Sequence, residues 1–202
     1  MFYRVIKKGG EKIKKLFPFI LVVSAIMLTF NGCDTGFERD EYGSIISGGT
    51  IKATSVRTGD CFNDLNPEEI KELVETFKEG GDVDSVTINH VSAVPCNMPH
   101  NNEVFAVSES LFSMLDDYPS DEEFNFRAET FCIPEVYRYL GIDSGLSQSA
   151  KSKMFSDAFP EYYQYLFPRS SSWNSGNRTL SCLLYSELAR ESSARNLLEK
   201  RL

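Results

Sequence analysis

The stretch SVTINHVSAVPCNMPHNNEVFAV, residues 85–107, decides the class of fold. Its first part, up to Cys96, is rich in β-branched residues, which favour strands. A polar loop over residues 97–102 separates it from a second strand-like segment at residues 103–107. The two segments are predicted to pair as a β-hairpin with a longer loop.

Helix signals flank this stretch on both sides. Asn66 followed by Pro67 predicts a helix start, because Asn caps a helix and Pro suits the first helical position. Ser120 and Glu123 form a capping box ahead of a second helix that stops at Gly141. A shorter helix is predicted over 148–158, and strands over 162–167 and 178–185. This order predicts a single small α+β domain, with a mostly antiparallel sheet packed with helices.

The first 32 residues are predicted to direct export. They carry six basic residues and one acidic residue, and an apolar run from Leu16 to Phe30 follows the basic positions. A basic segment followed by such a run is typical of an export signal. The positive segment is expected to stay in the cytoplasm while the rest of the chain crosses the membrane.

Cys33 is a candidate lipidation site. It follows the small residue Gly32 at the end of the apolar run, which resembles the lipobox of bacterial lipoproteins. Phe30 and Asn31 depart from that motif, since Leu and a small residue are usual there. Lipidation, an uncleaved N-terminal anchor and free secretion are the three alternatives. The first two place the protein at the cell membrane, on its extracytoplasmic side.

Composition divides the chain into four segments. Residues 1–32 are the predicted signal or anchor, and residues 33–50 mix charge with Gly and Ser, which predicts a flexible tether. Residues 51–186 are the predicted folded domain. Residues 187–202 are a polar tail that frays, with docking through Leu197 and Leu198 as the alternative.

The charge distribution argues against a nucleic-acid partner. The 170 residues after position 32 hold 15 basic and 28 acidic residues. An acidic body repels the phosphate backbone, so each lysine–phosphate contact would form against a repulsive field.

The cysteines predict disulfides and no cofactor. Lipidation of Cys33 leaves four of the five cysteines, and four cysteines in an oxidising compartment indicate two disulfides with three possible connectivities. A zinc site is the rival interpretation, but the sequence contains no Cys-x-x-Cys pair. We therefore expect neither a metal nor a cofactor.

Four fragments that contain these cysteines occur in a characteristic order. They are Gly59-Asp60-Cys61-Phe62; Val94-Pro95-Cys96 with Pro99-His100 and Glu103-Val104; Cys132 with Tyr139 and Gly141; and Trp173 with Gly176, Arg178 and Cys182. Over residues 54–185 this set resembles the actinobacterial septum formation domain family. The resemblance implies a membrane-anchored extracytoplasmic module associated with septum formation in cell division, without an established catalytic activity. The helical insert at 66–80 and the serine run at 170–172 depart from the family's pattern.

The leading hypothesis is therefore a non-enzymatic interaction module of the cell envelope. Its partners would be the membrane, through the lipid or anchor, and a protein or another envelope component. In this hypothesis Cys61 pairs with Cys96, joining the start of one strand to the end of its antiparallel neighbour. Cys132 pairs with Cys182, fixing a helix to the sheet.

His100 and Glu103 carry the alternative hypothesis, an envelope hydrolase or metal-dependent enzyme. They could form a general acid–base pair or, with a Cys96 thiolate, a metal site. The favoured interpretation is structural, with both side chains hydrogen-bonded to backbone in the turn beside a disulfide.

Trp173 and Arg178 are candidate interaction residues, since an exposed aromatic–cation patch is common at interfaces. The favoured interpretation is again structural: Trp173 packs on the core, Gly176 takes a positive φ, and Arg178 pairs with an acid such as Asp60. A third hypothesis is a small-ligand sensor that uses Tyr162, Tyr163 and Trp173.

Overall fold

The structure is a computed structural model that describes residues 37–76, 89–159, 163–168 and 170–199. The predicted signal or anchor segment, residues 1–32, and the candidate lipidation site Cys33 lie outside these residues. No helix within the described ranges is both long enough and apolar enough to cross a membrane.

Strands in the described residues form two sheets, and every strand pair is antiparallel. The strands are β1 (Glu38–Arg39), β2 (Ile45–Ser47), β3 (Gly49–Lys52), β4 (Cys61–Asn63), β5 (His90–Val94), β6 (His100–Ser108), β7 (Tyr163–Leu166) and β8 (Leu180–Arg190). β1 and β2 form a small ribbon, and the other six form a sheet in the order β3-β5-β4-β6-β8-β7.

Four α-helices accompany the sheets in the described part of the chain. They are α1 (Pro67–Thr76), α2 (Asp121–Leu140), α3 (Gln148–Ala158) and α4 (Ser170–Asn174). The capping signals act as predicted: Ser120 accepts a hydrogen bond from the Glu123 N–H, and Gly141 ends α2 with φ +75°. The predicted α+β class with a mostly antiparallel sheet and two disulfides is confirmed.

The predicted hairpin of β5 and β6 is wrong. β4 lies between these strands, with Cys61 opposite Val94 on one side and opposite Glu103 on the other. Because β4 is antiparallel to both, β5 and β6 run parallel to each other. β4 has only three residues and is about 10 Å long. The loop at residues 95–99 is therefore long enough to run back past β4 from the end of β5 to the start of β6.

Buried apolar residues form two clusters. The larger one contains Cys132, Val136 and Leu140 of α2 with Phe105 and Leu184 of the sheet. The smaller one contains Phe62, Ala93, Val104 and Leu183 of the sheet, with Ile45 of β2 packed into it. Neighbouring residues of one strand, such as Val104 and Phe105, belong to different clusters, because successive side chains point to opposite faces.

The prediction of a flexible tether over 33–50 is wrong for its described part. The β1–β2 ribbon occupies most of it, and the Ile45 side chain is buried. Asp40 accepts hydrogen bonds from the N–H groups of Tyr42 and Ser44, and Gly43 takes φ +87°. The polar and glycine-rich composition therefore encodes a tight turn between two strands.

The predicted fraying of residues 187–202 is wrong through residue 199, and the alternative of docking through Leu197 and Leu198 is confirmed. β8 continues to Arg190, and Ala194 and Leu198 are buried. The N–H groups of Asn196 and Leu198 donate to the carbonyl groups of Tyr139 and Leu140 at 2.8 and 2.9 Å. The segment packs on the end of α2 and satisfies carbonyls that a helix end leaves without partners.

Candidate functional site

Two disulfides brace the domain, and they join Cys61 to Cys96 and Cys132 to Cys182. The first bond links Cys61, at the start of β4, to Cys96, the second residue after β5. The second links α2 to β8 inside the larger apolar cluster. These are the two pairs of the leading hypothesis.

Glu103 is a buried carboxylate that serves a structural purpose. Its side chain is 2% exposed. The Tyr139 hydroxyl donates to it at 2.7 Å, the Ala194 N–H donates at 2.7 Å, and the Ser193 hydroxyl also donates to it. Glu103 thereby holds strand β6, helix α2 and the segment after β8 together. Charge-assisted hydrogen bonds of this kind are among the stronger ones in proteins.

This arrangement raises the pKa of Tyr139. Burial raises the pKa of the Tyr139 hydroxyl well above its usual range, and the nearby charge of Glu103 raises it further. The hydroxyl therefore stays protonated and remains a donor to Glu103.

His100 is fully buried at the start of β6. Its Nδ1 lies 2.8 Å from the carbonyl oxygen of Met98, which only accepts, so Nδ1 carries the proton. Nε2 is also buried and has no hydrogen-bond partner among the described residues. His100 thus bonds to backbone beside the disulfide, as the structural interpretation expected.

His100 and Glu103 do not form an acid–base pair in this arrangement. The His100 ring bonds to Met98, and the oxygens of Glu103 accept from other groups. Glu103 departs from the expected backbone contacts in the turn, because two of its three donors are side-chain hydroxyls of distant segments.

The group of potential metal ligands found among the described residues is Cys61, Cys96 and Glu103. One ligand atom of each lies within 4.8 Å of the others. The two sulfur atoms are bonded to each other, so neither is a thiolate available to a metal. In this redox state the group does not fit a metal site.

Trp173 and Arg178 form a stacked pair within the fold. The Arg178 guanidinium lies 3.6 Å from the centre of the Trp173 ring, and Trp173 is only 2% exposed. The indole N–H donates to the carbonyl of Asp116 at 3.1 Å, and Gly176 takes φ +89°. The alternative of an exposed aromatic–cation patch is therefore wrong for Trp173, which belongs to the core.

The expected ion pair between Arg178 and Asp60 is also wrong. Arg178 donates to the carbonyls of Trp173 and Asn177. Asp60 is 4% exposed, and both of its oxygens accept from Arg39 at 2.6 Å. The ribbon that was predicted to be a tether supplies the partner of this buried acid.

The sensor hypothesis loses support because Trp173, one of its three aromatic residues, is buried in the core. Trp173 contacts Phe112 and Tyr118 edge-on, at 6.0 and 5.3 Å between ring centres. Tyr162 and the side chain of Tyr163 lie outside the described residues.

A cavity of about 410 Å³ opens beside the first disulfide, and we call it the arginine pocket. It is lined by residues 42–45, residues 57–60, Cys96 and Tyr139, and by Ser193 and Arg195. No sequence motif marks this site, because Arg57 and Arg195 lie far apart in the chain and no recognisable pattern surrounds either of them. The one sequence feature that could have pointed to this pocket is Gly59 in Gly59-Asp60-Cys61, since this glycine lines the pocket and adopts φ +96°.

Comparisons of this chain with protein-family models, with curated proteins and with solved structures found no match.

Proposed function

We propose that this protein is a non-enzymatic interaction module on the extracytoplasmic side of a bacterial membrane, tethered through its N-terminal segment. The observation that carries this proposal is the pair of disulfides, which together use all four cysteines beyond Cys33. Disulfides persist in oxidising compartments and are rare in a reducing cytosol. The basic and apolar pattern of residues 1–32 supports the same compartment.

The non-enzymatic part of the proposal is supported by the two residues that would otherwise do chemistry. His100 is fully buried, and the Glu103 carboxylate accepts hydrogen bonds from three donors within the fold. A general base must reach the proton that it removes from a substrate. Neither residue meets that condition in this fold.

The septal role is supported by the resemblance of residues 54–185 to septum formation domains. Each of the two disulfides joins two of the fragments that carry this resemblance. Cys61 and Cys96 belong to the first and second fragments, and Cys132 and Cys182 to the third and fourth. The module would place its folded body beside the dividing membrane and bind an envelope partner there.

The proposal is tested by imaging the full-length protein, fused at its C-terminus to a fluorescent protein that matures outside the cytoplasm, in dividing bacteria. We expect fluorescence at the envelope with enrichment at the septum. A uniform envelope signal would contradict the septal role, and a cytoplasmic signal would contradict the tethered module as a whole.

A Cys33→Ser variant of the same fusion separates the two tethers. If Cys33 is lipidated, the variant should lose the lipid and run at the mass of the unprocessed chain. If the N-terminal segment is an uncleaved anchor, the variant should keep both the wild-type mass and the wild-type location.

A further inference from the structure

Two arginines that line the arginine pocket have no acidic partner among the residues that the structure describes. Both Arg57 and Arg195 are exposed. The described residues contain four ion pairs, between Arg39 and Asp60, Arg127 and Glu123, Arg138 and Glu135, and Lys153 and Asp157. Neither pocket arginine belongs to any of them. Each guanidinium offers five N–H donors in a planar arrangement that matches an oxyanion.

Two glycines with positive φ lie against these guanidinium groups. A Cβ atom added to Gly59 would lie 2.9 Å from Nη2 of Arg195, so the end of that side chain would have to shift. A Cβ atom on Gly43 would lie 3.5 Å from Nη1 of Arg57, an ordinary contact distance. Both glycines line the same cavity. The turns that contain them therefore place backbone directly against the two arginines.

Three acidic residues in or near the pocket already have donors. Asp60 is bound by Arg39 and by the Arg57 N–H at 2.7 Å. Glu103 lies beneath the pocket surface, behind Tyr139 and Ser193, which donate to it. Asp40 accepts two N–H groups of the β1–β2 turn. An incoming anion would thus meet the exposed guanidinium groups of Arg57 and Arg195, the second of which lies 5.2 Å from the centre of the Tyr139 ring, and carboxylates that already have donors.

From these observations we propose that the arginine pocket binds the oxyanion group of a small ligand, a carboxylate or a phosphate, between Arg57 and Arg195. Ser44 and Thr58 line the same space, and their hydroxyl groups are further potential donors. Tyr42, which is 86% exposed, adds an aromatic surface at the rim for the remainder of the ligand. Oxyanion binding here does not depend on the septal role.

The experiment titrates the full-length protein in nonionic detergent with methyl phosphate and, separately, with acetate, at constant ionic strength. Binding is followed by the amide NMR resonances of Gly43 and Gly59, which lie against the two arginines. We expect saturable shifts with one of the probes and a dissociation constant on the order of millimolar, as suits a fragment of a ligand. The probe that binds identifies the chemistry as phosphate or carboxylate.

The double variant that combines Arg57→Gln with Arg195→Gln should raise the dissociation constant at least about tenfold. This corresponds to a loss of roughly 1.4 kcal/mol of binding free energy. Arg138→Gln is the matched control, because its guanidinium is exposed and pairs with Glu135 on α2, and it should bind as the wild type does. Arg57→Lys keeps the charge and should bind more weakly than the wild type, since a lysine lacks the planar donor pair. The proposal is overturned if neither probe gives saturable shifts, or if the double variant binds as tightly as the control.

Discussion

The hydroxyl group of Tyr139 donates a hydrogen bond of 2.7 Å to the Glu103 carboxylate inside the protein, and this contact joins helix α2 to strand β6. The same carboxylate accepts from Ser193 and Ala194, which follow strand β8. Three segments distant in sequence therefore converge on one buried charge. A buried charge is retained at low cost only when it has such partners.

We expect Glu103→Gln to lower the free energy of unfolding by about 2–3 kcal/mol, because an amide replaces one acceptor oxygen with a donor that faces other donors. Urea unfolding of the full-length protein measures this loss. Glu129→Gln, at an exposed position of α2, is the control and should change stability by less than about 0.5 kcal/mol. Equal stability of the two variants would contradict the structural role of Glu103.

A second prediction concerns alkaline pH. Burial and the Glu103 charge raise the pKa of Tyr139 in the folded protein, whereas a tyrosine in the unfolded chain ionises near pH 10. The contribution of Tyr139 to stability is therefore complete below about pH 10 and declines as the pH rises further, because the unfolded chain releases the proton more readily.

Urea unfolding between about pH 9 and pH 11 measures this decline. Tyr139→Phe is the matched variant, since it keeps the ring and removes the titrating group. Its stability should fall less steeply with pH than that of the wild type. If stability fell equally steeply with pH in the two proteins, Tyr139 would have the same pKa in the folded and unfolded wild type, and the prediction would be wrong.

Local signals in the sequence predicted three of the four described helices, and α4 (Ser170–Asn174) was not predicted. Asn66 with Pro67 and Ser120 with Glu123 determine helix starts through contacts within one turn, so no knowledge of the rest of the fold is needed. The strand character of residues 90–94 and 103–107 was also evident, because β-branched and apolar residues favour strands wherever they pair. Residues 100–102 were predicted as loop, but they belong to β6.

Strand partners and the candidate site depend on contacts between distant segments, which the sequence patterns did not reveal. β4 inserts between β5 and β6, and nothing within residues 85–107 indicates a third strand between them. The segment containing Ser193 has a polar composition typical of a tail, yet it supplies donors to Glu103. Arg39 was likewise part of a predicted tether. The arginine pocket is built from both of these misjudged segments and was therefore missed.

A third prediction tests whether the β1–β2 ribbon belongs to the folded domain. Arg39→Ala leaves the buried Asp60 carboxylate without its guanidinium partner, so we expect the free energy of unfolding to fall by about 3 kcal/mol. Arg127→Ala breaks a half-exposed pair with Glu123 and should cost less than about 1 kcal/mol. Urea unfolding of both variants provides the comparison.

A double-mutant cycle with Asp60→Asn isolates the pair itself. If Arg39 and Asp60 interact as the structure has them, the effects of the two substitutions should not add, and the coupling energy should exceed about 1 kcal/mol. Strictly additive effects would mean that the ribbon is not held by this ion pair.

The last prediction concerns the two disulfides. They close loops of 35 and 50 residues, so in the chain-entropy model each restricts the unfolded chain by roughly 4 kcal/mol. We expect each of two double variants to lower the free energy of unfolding by an amount of this order. One combines Cys61→Ala with Cys96→Ala, and the other combines Cys132→Ala with Cys182→Ala. The second pair should cost more, because it closes the longer loop and both of its sulfur atoms are buried in the larger apolar cluster.

Urea unfolding of the full-length protein and of each double variant, with and without a thiol reductant, measures both contributions. Each double variant should respond to the reductant less than the wild type does, because only one disulfide remains to be reduced. A Cys33→Ala variant is the control and should unfold as the wild type does under both conditions. A wild-type unfolding curve that full reduction leaves unchanged would contradict the bracing role of both bonds.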